Sequence, residues 1–316
     1  MPRNFPEPEI AAAVGGVPVR WESVRGGGYA TNTAKWTIEL DAGRRAFAKV
    51  ALDELAAGWL RNEARIYSVL DAPFLPALLG WYDSGETTVL VLEDLGDAHW
   101  PPPWSRDQVA LVVDALEAVH AMTPPPGLPA LESLRQDLDG WPVVAAEPEP
   151  FLSTGICSRE WLAEALPRLT QASADCDLGG DALLHMDVRS DNLCIRGDRA
   201  VLVDWNHACV GNPMLDSVAW APSLRTEGGP EPWALVSDSN GQAALIAGYF
   251  AARVGLPAPP TAPAVREVQR RQLEVALPWA ARELGLREIV GPGRGLSRRD
   301  SPRSCSCLGL CGAPRL

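Results

Sequence analysis

One segment restricts the possible fold more than any other: LLHMDVRSDNLCIRGDRAVLVDW, from Leu183 to Trp205. The apolar runs LCI and AVLV flank Gly197-Asp198, which is the pattern of a β-hairpin with a tight turn. Such a hairpin sets Asn192 and Asp204 at the same end of two paired strands. Their side-chain oxygens are hard donors, and together they would converge on a hard cation such as Mg2+. Asp187 precedes Asn192 in the loop that leads into the hairpin, near enough to act as a base beside that cation. His185 and Arg189 complete a polar set embedded between apolar strands.

The rest of the chain divides in two around this segment. Alternating residues in AKWTIEL and RAFAKVA, joined by DAGR, predict a hairpin whose second strand ends near Lys49. LDELAAGWLRNEARIYSVL follows with Leu55, Trp59, Ile66, Tyr67 and Leu70 at helical spacing. Glu63 falls on or beside that apolar stripe, where a carboxylate needs a cationic partner or a hydrogen bond. Two further strands, ALLGWYD and TTVLVLEDL, end this part. Helical patterns then dominate, beginning with SRDQVALVVDALEAVHAM, where Ser105 and Gln108 form a capping-box signature and Val109, Val112, Leu116 and Val119 a buried face. Strands followed by helices are the α+β pattern, here with a strand-rich lobe over residues 1–96 and a larger helical lobe over 97–290. A cleft between lobes is where a ligand is expected.

Residues 291–316 are rich in Gly, Pro, Ser and Arg without periodicity and are expected to form a disordered tail. They hold three of the seven cysteines, Cys305, Cys307 and Cys311, in a spacing that is not a zinc pattern. The odd number and irregular spacing of the cysteines suit reduced thiols. Without the tail, Lys+Arg falls from 28 to 23 and Asp+Glu from 40 to 39, so the body carries a formal charge of −16. That surface disfavours nucleic acid and anionic membranes, and it would either steer cationic ligands or serve solubility. With no apolar run of membrane-spanning length and no signal-peptide h-region, the expected location is the cytoplasm.

HMDVRSDN resembles the kinase catalytic loop H-R-D-L-x-x-x-N, with His185, Asp187 and Asn192 at the matching positions and VDW where D-F-G would fall. With Trp205 after the aspartate and GNPMLDSVAW beyond, the chain is most similar to the aminoglycoside phosphotransferase family of small-molecule kinases. The resemblance implies a two-lobed, protein-kinase-like fold with one helix on the small lobe, and ATP and Mg2+ as cofactors. It implies that Asp187 orients and deprotonates the acceptor hydroxyl, and that Asn192 and Asp204 hold Mg2+. Lys49 would pair with the α- and β-phosphates and with Glu63, while Arg189 would approach the transferring phosphoryl group. His185 would organise the loop, and Asp216 would accept its backbone N–H groups. LEDLGD resembles the hinge, where the backbone of Glu93 and Leu95 would face adenine. Thr31 and Asn32 in VRGGGYATNTAKW would serve phosphate contact, although this stretch is not G-x-G-x-x-G. No A-P-E follows VDW, which argues against a protein kinase.

The expected activity is ATP-dependent phosphorylation of a hydroxyl on a small molecule, by a monomer or homodimer. Body acidity tilts the acceptor toward a cationic antibiotic such as an aminoglycoside, with Glu227, Glu231 and Asp238 as candidate amine contacts. The alternatives are a metabolite kinase for a sugar, amino alcohol or nucleoside-type compound, and a nucleotide-binding pseudokinase.

Overall fold

A computed structural model of the chain describes residues 5–24, 32–41 and 43–289. Five antiparallel strands, β1 (Pro18–Ser23), β2 (Thr33–Leu40), β3 (Arg45–Ala51), β4 (Leu78–Asp83) and β5 (Thr88–Glu93), form one sheet in the order β1-β2-β3-β5-β4. Strand alternation gives this sheet two apolar faces. Val89 and Val91 of β5 join Ile38, Ala46 and Ala48 beneath helix α1 (Glu7–Val14). Leu90 and Leu92 join Leu60, Ile66 and Tyr67 of α2 (Glu54–Val69) on the opposite face. Lys49 lies across from Leu90 and shares the α2 face.

The small lobe thus carries two helices rather than the one expected. The signals for α1 are local: prolines at its start, Glu7 and Glu9 in the first turn, and Gly15 closing it at φ +63°. It seats on β4 at Gly80, where a Cβ would stand 2.4 Å from the Ala13 carbonyl oxygen, so glycine is required there. Helix α2 starts at Asp53, whose side chain accepts the Ala56 N–H at 2.8 Å. Its buried stripe runs through Ala56, Leu60, Glu63, Ala64 and Tyr67. Leu55, one residue out of phase with that stripe, is 61% exposed rather than buried.

The larger lobe opens with α3 (Arg106–His120), which has the full capping box: Gln108 N–H donates to Ser105 Oγ and Ser105 N–H to Gln108 Oε1. Short helices α4 (Arg135–Leu138), α5 (Trp141–Ala146) and α6 (Glu149–Leu152) lead to α7 (Arg159–Asp175). Four short strands follow: β6 (Ala182–Leu184) pairs with β9 (Cys209–Gly211), and β7 (Leu193–Arg196) with β8 (Arg199–Leu202) as the hairpin read from the sequence. Gly197 turns that hairpin at φ +64°. Helices α8 (Met214–Thr226), α9 (Pro232–Leu235), α10 (Gln242–Val254) and α11 (Val265–Glu283) complete the lobe around a core containing Trp141, Trp161 and Trp279. A second core crosses the boundary between lobes, packing Leu60 and Leu90 with Leu116, Leu193, Trp205 and Trp220. The two lobes are therefore joined by shared apolar packing as well as by the chain.

Cys157, Cys176, Cys194 and Cys209 are free thiols and buried. Thr31 and the tail from 291 lie outside the described residues. Among the described residues no helix is long and apolar enough to cross a membrane.

Candidate active site

The loop between β6 and β7 is held from beneath by Asp216, fully buried in the first turn of α8. Its Oδ1 accepts the Met186 N–H at 2.7 Å and its Oδ2 the His185 N–H at 3.0 Å. His120, at the last turn of α3, brings Nε2 to 3.0 Å from the same Oδ2. A carboxylate near a helix N-terminus with charge-assisted bonds is a strong anchor. It holds Met186 at φ +65°, a left-handed conformation that costs a non-glycine residue free energy.

Both ring nitrogens of His185 are engaged by backbone. The Asp187 N–H donates to Nδ1 at 3.2 Å, so the proton sits on Nε2, which donates to the Val203 carbonyl at 2.9 Å. Burial pushes its pKa below the usual histidine value, against the pull of Asp216 and Asp187, and keeps the imidazole neutral.

Asp187 is oriented at both oxygens. Asn192 Nδ2 donates to its Oδ2 at 2.7 Å and to its carbonyl at 2.9 Å, which leaves Asn192 Oδ1 as the side-chain acceptor. Arg189 Nε makes ion pairs with Asp187 Oδ1 at 3.1 Å and Asp191 Oδ1 at 3.2 Å. Arg189, expected against a moving phosphoryl group, is thus drawn onto two carboxylates of its own loop. The Val203 N–H donates to the Asn192 carbonyl at 2.8 Å and ties the end of the loop to the strand that leads into Asp204. The hairpin reading anticipated that proximity.

Lys49 brings a third element in. Its Nζ lies 2.8 Å from Glu63 Oε2 and 2.8 Å from Asp204 Oδ1, joining β3, α2 and the second residue after β8. Glu63 is 1% exposed. Burial pushes its carboxyl above the usual range, against the ammonium of Lys49. Burial acts the same way on Asp204, but there the ammoniums of Lys49 and Lys35 prevail and hold its pKa well below the usual carboxylate value. Lys49 itself loses by burial and gains more from its two carboxylate partners, so it stays protonated. Asp204 adopts φ +69°, an uncommon conformation that aims its carboxylate at Lys49.

Two cavities meet at this cluster. One, of about 500 Å3, lies under the sheet between Phe47, Leu92, Glu93, Leu95 and Trp100. The Leu95 carbonyl already accepts the Ala98 N–H at 3.1 Å and the Trp100 indole N–H at 3.2 Å. Its N–H makes no hydrogen bond among the described residues. The Glu93 side chain turns away to Arg196 and the Ala77 N–H. The other cavity, of about 640 Å3, runs from Asp187 and Arg189 to Leu138, Tyr249, Phe250, Val265 and Val268. Asn32, expected at phosphate, lines neither cavity: it is buried, and its amide donates to Asp53, the cap of α2. A buried amide beside a helix start is recruited by that start.

The profile of the Phosphotransferase enzyme family matches residues 23–259. The chain belongs to this family. It is a small-molecule phosphotransferase with the two-lobed kinase-like fold of that family. Among solved structures, the apo form of a thermostable mutant of aminoglycoside phosphotransferase APH(4)-Ia is similar at TM-score 0.57 and 15% identity, covering 88% of this chain and 98% of that one. A choline/ethanolamine kinase family protein from Mesorhizobium loti is similar at TM-score 0.51 and 16% identity, covering 89% and 95%. The amicoumacin kinase hAmiN, in complex with AMP-PNP, Ca2+ and Ami, is similar at TM-score 0.50 and 10% identity, covering 87% and 93%. No curated protein matches the chain by sequence. At these identities the likenesses establish the fold, and the same fold serves phosphotransferases named for chemically different acceptors.

The reading of the sequence missed His120 and Asp191 and took Glu227 and Glu231 for amine contacts. His120 had no local signal, because its partner Asp216 is 96 residues away. Glu227 accepts the Ser190 hydroxyl at 2.5 Å and the Trp104 indole N–H at 2.8 Å, so it braces the loop that carries Asp187, a different place from the amine contact expected of it. Glu231, the second candidate amine contact, pairs with Arg225 at 2.9 Å. Asp191, ion-paired with Arg189, lines the smaller cavity, and burial raises its pKa.

Proposed function

We propose that this phosphotransferase moves the γ-phosphoryl group of ATP to a hydroxyl of a small molecule, with Asp187 as the base that orients and deprotonates the acceptor. The observation that carries this reading is the double hold on Asp187, by Asn192 at one oxygen and Arg189 at the other, at the mouth of a cavity with a nucleotide-sized cavity beside it. A base fixed in this way needs little reorganisation when a hydroxyl arrives. The purine would lie in the smaller cavity against Phe47 and Leu92, facing the Leu95 N–H and the Glu93 backbone. Lys49, kept charged by Glu63 and Asp204, would meet the phosphates.

Asn192 Oδ1 and the Asp204 carboxylate fit Mg2+: they are two hard oxygens, and this ion takes its remaining ligands from phosphates and water. Bound there, the ion would neutralise charge on the phosphates. Among the described residues no group of three or more acidic, His or Cys side chains forms a metal cage, which suits a cation shared with a nucleotide.

The acceptor side favours a hydroxylated compound with an apolar body over a polycation. Leu138, Ile246, Tyr249, Phe250, Val265 and Val268 form its wall, and Asp137 is the one carboxylate on that wall among the described residues. The formal acidity of the body is therefore mostly spent elsewhere than on acceptor contacts.

The test is ADP release by the purified enzyme across aminoglycosides, macrocyclic lactones, amino alcohols, sugars and nucleosides, with mass spectrometry for one added phosphoryl group. Turnover of an acceptor by the parent and none by Asp187→Asn supports the reading. Equal turnover by both sinks it. If polycationic acceptors are phosphorylated in preference to those with apolar bodies, the acceptor assignment fails and the phosphotransfer assignment stands.

A further inference from the structure

The chain contains two lysines, Lys35 and Lys49, and they are direct partners across the β2–β3 pair. Opposed residues in antiparallel strands project from the same face, here the face toward the cleft. Of all the residues that line the two cavities, three line both: Lys35, Lys49 and Asp204. These three mark the junction between the cavities. A nucleotide with its base in the smaller cavity and its terminal phosphate at Asp187 must run its phosphate chain through that junction.

We propose that Lys35 is a second phosphate-binding lysine, which contacts the β- and γ-phosphates alongside Lys49. This rests on the nucleotide reading above and extends it to a residue outside the catalytic motif. The charge at the junction supports it. Lys49 is already compensated by Glu63 and Asp204, both at 2.8 Å, so one lysine alone adds little net positive charge for a triphosphate. Lys35, paired across the strands with Lys49 and lining both cavities with Asp204, supplies the second cation. The preceding stretch VRGGGYATNTA lacks the G-x-G-x-x-G pattern, and a side-chain cation at the start of β2 supplies phosphate affinity that does not depend on that pattern.

Calorimetric titration of the full chain with AMP-PNP and Mg2+, ADP and adenosine tests the assignment, using the parent, Lys35→Ala and Lys35→Arg. The expected result is a loss of about ten- to a hundredfold in AMP-PNP affinity for Lys35→Ala, a smaller loss for ADP and none for adenosine. Lys35→Arg should recover most of the loss because it keeps the charge. Equal losses for adenosine and AMP-PNP would mean a structural role and overturn the assignment, as would a Lys35→Ala variant that binds AMP-PNP like the parent. A parent that binds no nucleotide overturns the nucleotide reading and this assignment together. If Lys35→Ala does not fold, Lys35→Gln carries the same expectations.

Discussion

The loop that carries Asp187 and the apolar wall proposed for the acceptor face each other across one cavity and are built by opposite means. The loop is a short run of chain pinned by backbone hydrogen bonds: to Asp216 beneath, to His185 within and to Asn192 at its end. The wall is made of apolar side chains from α4 and, about a hundred residues later, α10 and α11, held mainly by packing, with one hydrogen bond from Arg253 of α10 to the Asp137 carbonyl of α4. Directional bonds fix atoms to tenths of an ångström, which positioning a base requires. Packing fixes a shape, which selecting an acceptor requires and which tolerates variation. Substitutions on the loop side should therefore alter turnover for every acceptor, and substitutions on the wall side should alter the choice among acceptors.

The largest effect belongs to Asp187→Asn. It should lower kcat by about a thousandfold for every acceptor, with AMP-PNP affinity and melting temperature kept. Asp216→Ala comes next, because it strips the loop of its anchor and leaves two buried N–H groups without an acceptor. It should cost about 3 kcal/mol in denaturant unfolding and reduce kcat in parallel. If turnover survives that loss, the loop is not held by hydrogen bonds in the way described.

His185 gives the contrast a pH signature. Its folded pKa lies below the ordinary 6.5, so its contribution is complete above that pH. As pH falls below 6.5, the unfolded chain takes up a proton that the folded chain resists, and stability declines toward the folded pKa by at most about 1.4 kcal/mol per pH unit. A His185→Asn variant should lack this slope below pH 6.5.

On the wall side, Val268→Asp should raise the KM of acceptors with apolar bodies about tenfold and leave the KM for ATP unchanged. A matching rise in the ATP KM would show that wall and loop are not separable. The smallest effect is expected from Glu227→Gln, which weakens the brace on Ser190 and Trp104 while keeping an acceptor there. A loss of severalfold in kcat/KM, equal for all acceptors, would place Glu227 with the loop; a loss that differs among acceptors would place it with the wall.

The same contrast governed what could be read in advance. The order of strands and helices, the hairpin at Gly197, the capping box of α3 and the placement of Glu63 on a buried stripe all follow from short-range pattern, and the structure has each of them. Helix α1 carried its own signals in Pro8, Glu9 and Gly15, but eight residues with one proline in the first turn and another just before it look like coil until β4 supplies Gly80 as a seat. Leu55 was misplaced because hydrophobicity alone does not set the phase of a stripe when small alanines do the packing. Lys35 was legible in principle: once β2 and β3 are paired, alternation alone puts it beside Lys49.

The sequence by itself singled out the residues proposed for phosphoryl transfer and, through hairpin spacing, placed Asn192 and Asp204 at the same end of paired strands. Tertiary structure alone decided where those groups point and what holds them. It turned Arg189 onto Asp187, joined Glu227 to Ser190 of the loop, brought His120 to Asp216 and set an apolar wall in the cavity of Asp187 inside an acidic protein. The physical reason is range. Periodicity and turn chemistry act over a few residues and are written locally, whereas a buried charge takes as its partner whichever group packing brings within about 3 Å, and no local pattern records that distance.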